Sequence, residues 1–189
     1  MENLAGKESA KRLAGIRGQV EKPFAQAVLG NPQGKVTLVE FSDYACGYCR
    51  QSVPAVDALI AEHPDLRVVV RELPILSEES SEAARWALAA AEQGKYAAFH
   101  KAMYEAGRPS AGAIAAAAEA AGLDLARAKA TAASPRVQDE LDRNLELARH
   151  LGFNGTPSWI AGDAILSGAV GKERLAEALA KARGGQARP

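Results

Sequence analysis

The run Lys35–Arg50, KVTLVEFSDYACGYCR, decides how this chain is read. It holds Cys46 and Cys49, the only two cysteines among 189 residues. Val36 to Phe41 is β-branched, mostly apolar and broken off by the polar pair Ser42-Asp43, which is the pattern of a buried strand. Val53, Val56, Leu59 and Ile60 then recur at helical spacing. The cysteine pair therefore falls where a strand hands over to a helix. Unpaired backbone N–H groups and the positive end of the dipole at a helix N-terminus favour thiolate over thiol. The thiolate is the form that carries cysteine chemistry. Two intervening residues let the second sulfur reach the first, so the pair can cycle between dithiol and disulfide.

Other uses of a Cys-x-x-Cys are weaker fits. A structural zinc site needs four ligands. No second cysteine pair exists, and His63, His100 and His150 stand singly with no metal spacing. No metal and no prosthetic group is expected, since two sulfurs suffice to carry electrons.

Composition narrows the class. Hydrophobic residues make up 48% and charged residues 24%, and 23 basic side chains balance 23 acidic ones. The zero net charge gives no electrostatic case for nucleic acid or an anionic membrane. Alanine is abundant and aromatics are few, which favours helices. The opening MENLAGKESAKRL is charged and has no apolar signal segment. The alternatives are a cytosolic protein or one whose leader has been removed.

Outward from the cysteines, Lys7 to Gln26 reads as a helical arm with Leu13, Ile16 and Val20 on one side and Phe24 beyond Pro23. It either packs on its own domain or joins copies of the chain. Gly30 to Gly34 is a turn cluster. Pro54 lies inside the cysteine helix and should kink it. Leu66–Leu73 is a second strand, so strand, helix and strand form a βαβ unit with parallel strands. From Ser77 to about Gly152 only helical patterns occur, at Ser80–Glu92, Tyr96–Ala106, Ser110–Ala121, Asp124–Ala132 and Pro135–Leu151. Ser158–Ile160 and Ala164–Gly168 then form a hairpin around Gly162-Asp163. A last helix covers Lys172–Ala182.

This order, with Cys-x-x-Cys at the first strand–helix junction, resembles an α/β thioredoxin fold with an all-helical insertion and an N-terminal helical arm. More narrowly, it resembles the DsbA-like thiol–disulfide oxidoreductases of the bacterial cell envelope. The matching runs are Glu40 to Cys49, Pro54, and Gly155-Thr156-Pro157 before the hairpin. The expected organisation is an arm and turn over 1–34, a discontinuous thioredoxin-like core over 35–76 and 152–183, a helical insertion over 77–151, and a disordered tail over 184–189.

The resemblance implies roles. Cys46 is the exposed attacking thiolate and Cys49 its resolving partner. Thr156–Pro157 is a cis peptide opposite Cys46, with the Thr156 backbone free to pair with an extended substrate peptide. Glu40 is a buried acid relaying a proton to or from Cys49. The strongest oxidants of the family carry Pro-His between the cysteines, and here the pair is Gly47-Tyr48. Tyr48 offers only a neutral hydrogen bond, which implies a less oxidising disulfide. Asp43 either opposes the thiolate or caps the helix.

Three functions remain open on sequence alone. They are oxidation of substrate-protein thiols, reduction or isomerisation of disulfides with an oligomerising arm, and a non-catalytic binding module. The first two imply thiol- or disulfide-containing substrate proteins, a redox partner for recycling, and a periplasmic or other extracytoplasmic location.

Overall fold

The computed structural model describes residues 4–186. Its centre is a five-stranded sheet in the order β1-β3-β2-β4-β5. The strands are β1 (Val28–Gly30), β2 (Val36–Ser42), β3 (Leu66–Glu72), β4 (Ser158–Ala161) and β5 (Ala164–Ser167). β2 and β3 pair in parallel from Val36↔Leu66 to Ser42↔Glu72, joined by helix α3 (Gly47–Glu62). β1, β4 and β5 pair antiparallel to their neighbours. The hairpin turns at Gly162, whose φ of 56° suits a residue without Cβ.

Strand alternation divides the core in two. Leu38, Val68, Val70, Trp159 and Ala161 face one side, with Cys49, Val56 and Leu59 of α3. The terminal helix α9 (Lys172–Gln186) and most of the insertion cover this side. Val39, Phe41, Val69 and Ile160 face the other side and meet Leu13, Val20, Leu147 and Leu151.

The insertion is all helical. It consists of α4 (Glu78–Glu92), α5 (Tyr96–Glu105), α6 (Ala111–Ala120), α7 (Leu125–Ala132) and α8 (Pro135–Leu151). Ser77, Ser110, Asp124 and Ser134 each accept a backbone N–H at an N-cap, so the sequence sets these starts locally. α8 ends on Gly152 in the left-handed region.

Three differences from the sequence reading are instructive, and one of its two alternatives for the arm is decided. The arm is two short helices, α1 (Leu4–Leu13) and α2 (Arg17–Glu21), separated at Gly15 (φ 83°). Its stripe is spent on its own domain, because Leu13 and Val20 are fully buried against the sheet. β1 occupies the segment read as turn and arm. α9 continues to Gln186, past the expected start of a disordered tail at 184. Residues 187–189 and 1–3 lie outside the described residues.

Candidate active site

β2 delivers Glu40, Ser42 and Asp43 to the end of the sheet, and the chain turns directly into α3. Cys46 is the N-cap of that helix, and its sulfur accepts the Cys49 amide at 3.4 Å. Asp43 explains how the turn is held. One carboxyl oxygen accepts Ala45 N at 2.8 Å, an Asx-type turn. The other accepts Ile75 N at 2.8 Å, Leu76 N at 3.0 Å and Ser80 Oγ at 3.4 Å. Asp43 does not cap α3, whose N-cap is Cys46, and its oxygens are engaged by Ala45, Ile75, Leu76 and Ser80. It ties the cysteine turn to the loop that follows β3.

Across from Cys46 stands the Thr156–Pro157 loop, with a cis peptide bond between these two residues. The Cys46 thiol donates to Thr156 O at 3.3 Å. The loop is braced by Gly168 N donating to Pro157 O at 2.8 Å and by Ser158 Oγ donating to Gly155 O. Two expectations change here. Cys46 is only 6% exposed, because the loop covers it. The Thr156 carbonyl is engaged by the thiol rather than free. Such a bond needs an S–H, so it exists only while Cys46 is a protonated thiol; disulfide formation releases the carbonyl.

Tyr48 projects outward at 65% exposure. Among the described hydrogen bonds its ring makes none to either sulfur, and only its carbonyl is used, by Ser52 Oγ at 2.8 Å. Both cysteines are free thiols. Cys49 is fully buried, and burial pushes its thiol well up, with the charge of Glu40 adding to the effect. No group of three or more His, Cys, Asp and Glu among the described residues is placed to hold a metal ion.

Glu40 lies beneath α3 at 4% exposure. Burial pushes its carboxyl up to about 8, opposed by a hydrogen bond from Ser42. A cavity of about 220 Å³ runs beside it, lined among others by Val53, Val56, Asp57, His100 and Lys101. Glu40 thus has Cys49 for an electrostatic neighbour and a route toward solvent past Asp57 and Lys101.

A second buried cluster was not anticipated. Glu72, at 1% exposure, accepts Tyr96 Oη at 2.6 Å and Tyr44 Oη at 3.2 Å on the same oxygen. His100 Nδ1 lies 3.0 Å from Tyr44 Oη. Burial pushes Glu72 up to about 8 and His100 down to about 3. The 3.6-residue recurrence of Tyr96, Phe99 and Met103 in the sequence reads as core packing. The polar tips of Tyr96 and His100, one turn apart, were the unread signal.

Together these groups can exchange electrons through two sulfurs, and protons through a buried acid beside the deeper one. The family model of the DSBA-like thioredoxin domain matches residues 37–180. A thioredoxin-like oxidoreductase from Silicibacter pomeroyi is 42% identical in sequence, with a TM-score of 0.84 over 90% of this chain and 99% of that one. A periplasmic thioredoxin-like protein from Salmonella enterica serovar Typhimurium is 29% identical, with a TM-score of 0.76 over 88% and 95%. A Na(+)/H(+) antiporter, NhaA 3 of Salinispora tropica, is 31% identical over 165 residues. The match takes in 85% of this chain and 25% of the antiporter, so the chain spans about a quarter of the length of the curated relatives it matches. No helix among the described residues is long and apolar enough to cross a membrane.

Proposed function

As the chain belongs to the DSBA-like thioredoxin-domain family of thiol–disulfide oxidoreductases, we propose that it oxidises thiols of substrate proteins through a Cys46–Cys49 dithiol/disulfide cycle. The observation that carries this reading is the placement of Cys46. It sits at the mouth of α3, against the Thr156–Pro157 loop, with a more deeply buried Cys49 behind it.

The cycle begins with the disulfide form. A substrate thiolate attacks Cys46 Sγ, the less buried sulfur. The Cys46–Cys49 bond breaks, and Cys49 leaves with the electron pair. Its high proton affinity makes it take a proton, which the Glu40 carboxyl supplies. Substrate and Cys46 are then joined by a mixed disulfide. A second substrate thiolate attacks the substrate sulfur of that bond, and Cys46 leaves toward the Cys49 amide and the helix N-terminus. Two electrons have moved from two substrate thiols to the pair. With Cys46 in a disulfide, the Thr156 carbonyl can accept from an extended substrate backbone. Thr156, half-buried, thus offers the substrate-facing backbone with the buried Pro157 next to it in the chain, and Tyr48 is an exposed side chain on the first turn of α3.

Renewing the disulfide requires an acceptor of two electrons, which we assign to a redox partner protein. An extracytoplasmic location suits an oxidase, because reducing compartments keep such pairs as dithiols. The arm's buried stripe argues against the oligomeric cleft that an isomerase would use, so oxidation ranks ahead of isomerisation.

Equilibration with glutathione buffers tests the direction. An oxidase requires a Cys46–Cys49 couple more oxidising than thioredoxin, with faster oxidation of a reduced, unfolded protein than rescue of a scrambled one. A strongly reducing couple with isomerisation favoured would reverse the assignment.

A further inference from the structure

β3 ends in a buried acid, Glu72, that the cycle above does not use. Glu72 and Glu40 lie on adjacent strands and face the same side of the sheet. The register pairs Glu40 with Val70 and Ser42 with Glu72, so the two acids are one pleat apart. Neither forms an ion pair among the described residues. Two carboxylates in one dry pocket oppose each other's ionisation and lose their protons in separate steps.

The donors decide which acid ionises first. Glu72 Oε1 receives both the Tyr96 and Tyr44 hydroxyls. Burial, with Glu72 beside them, pushes both tyrosines well above 10, so they remain O–H donors. With both phenol protons spent on the carboxyl, His100 Nδ1 must donate to the tyrosine oxygen, 3.0 Å away at Tyr44 and 3.4 Å at Tyr96. Every proton in this chain points toward Glu72, an arrangement suited to an anion. Glu40 has Ser42 alone.

The other facing groups do not reverse this order. Cys49 faces Glu40 from α3 and stays a thiol over the relevant pH range. Asp57 and Lys101, at the exposed rim of the cavity, carry opposite charges. Tyr104 reaches Ser42 at 2.7 Å as a neutral hydroxyl. Asp43 and the charge of Glu40 each raise the cost of ionising Glu72, and the two phenol donors on Glu72 Oε1 act against both.

We propose that Glu72 is a positioning residue for Glu40: it takes the first negative charge the pocket admits and thereby keeps the proton on Glu40. That is the form needed to protonate Cys49 as it leaves. The role deepens the thiol–disulfide reading and rests on it.

The test is carboxyl-carbon NMR of the whole reduced chain, labelled at glutamate, across pH. In the unmodified protein Glu72 loses its proton before Glu40. In Glu72→Gln, whose amide oxygen still accepts both tyrosines, the Glu40 step moves to lower pH by roughly tenfold in proton affinity, about one pH unit. The alkaline limb of substrate oxidation moves with it. In Tyr96→Phe, the Glu72 step moves to higher pH. Glu40 titrating ahead of Glu72, or at the same pH with and without the Glu72 charge, overturns the proposal. So does a Glu72 step unmoved by Tyr96→Phe. The titrations need no turnover. Coupled steps in a chain that oxidises nothing defeat the redox reading; uncoupled steps in an active chain defeat only this inference.

Discussion

Arg71 and Glu72 are neighbours on one strand, equally buried, and they face opposite sides of the sheet. Arg71 is closed off. Its guanidinium donates to Glu140 and to Asn144, each at 2.8 Å, to Val20 O at 3.0 Å, and to Gln19 O and Lys22 O. A counter-charge and saturated donors make it a clamp that holds α2 and α8 against the sheet. Glu72 has two hydroxyl donors and no cation. A buried charge with a full set of partners serves structure. A buried acid without a counter-ion stays titratable and is available to chemistry. The sheet thus separates a face closed by a buried ion pair from a face whose buried acids have no counter-ion among the described residues.

The largest expected effect comes from breaking the clamp. Arg71→Ala leaves Glu140 buried without its close ion partner and should cost about 3–5 kcal/mol in urea unfolding. Oxidation rate per folded molecule should hold. A loss below about 1 kcal/mol would dissolve the contrast between the two faces.

Glu40→Gln works on the other face. It should slow substrate oxidation about 10²-fold, the scale of a lost general acid, while leaving stability at neutral pH intact or improved. Stopped-flow measurement of disulfide reduction by a model thiol reads the step directly. An unchanged rate removes Glu40 from the cycle.

Smaller, and sharper, is the pH dependence of stability. Glu40 and Glu72 have folded values raised from 4.5 to about 8, so the folded chain holds more protons than the unfolded one across that window. Each acid therefore lowers stability as pH rises from 4.5 to 8, by about 1.4 kcal/mol per pH unit. His100 is lowered from 6.5 to about 3, so between those values its contribution rises with pH and offsets one acid. From these three groups the decline should steepen above pH 6.5. Glu72→Gln should remove one acid's share of the slope, and Arg71→Ala should leave the slope from these three groups in place. Urea titrations at several pH values with identical slopes in the parent and Glu72→Gln would contradict the burial argument.

Much of this was legible in the sequence. The strand-to-helix handover at Cys46, the parallel βαβ unit, the helical insertion and the hairpin after Pro157 each leave local signals of period, cap or turn. β1 has three residues, too few to show a period. The arm's break was visible only as Gly15. The cover over Cys46 comes from a loop 110 residues away, which no local pattern reports. The Glu72 cluster joins residues 24 and 28 positions apart through strand placement and helix packing. Its sequence traces were the polar tips of Tyr96 and His100 one turn apart and the charged pair Arg71-Glu72 closing β3.

The most direct test traps the intermediate. Cys49→Ser, treated with a disulfide-bearing substrate protein or peptide, should accumulate a mixed disulfide that peptide mapping places on Cys46, and Cys46→Ser should accumulate none. An adduct on Cys49 in the Cys46→Ser chain at a comparable rate, or no adduct on either, would contradict the assignment of Cys46 as the sulfur that meets substrate.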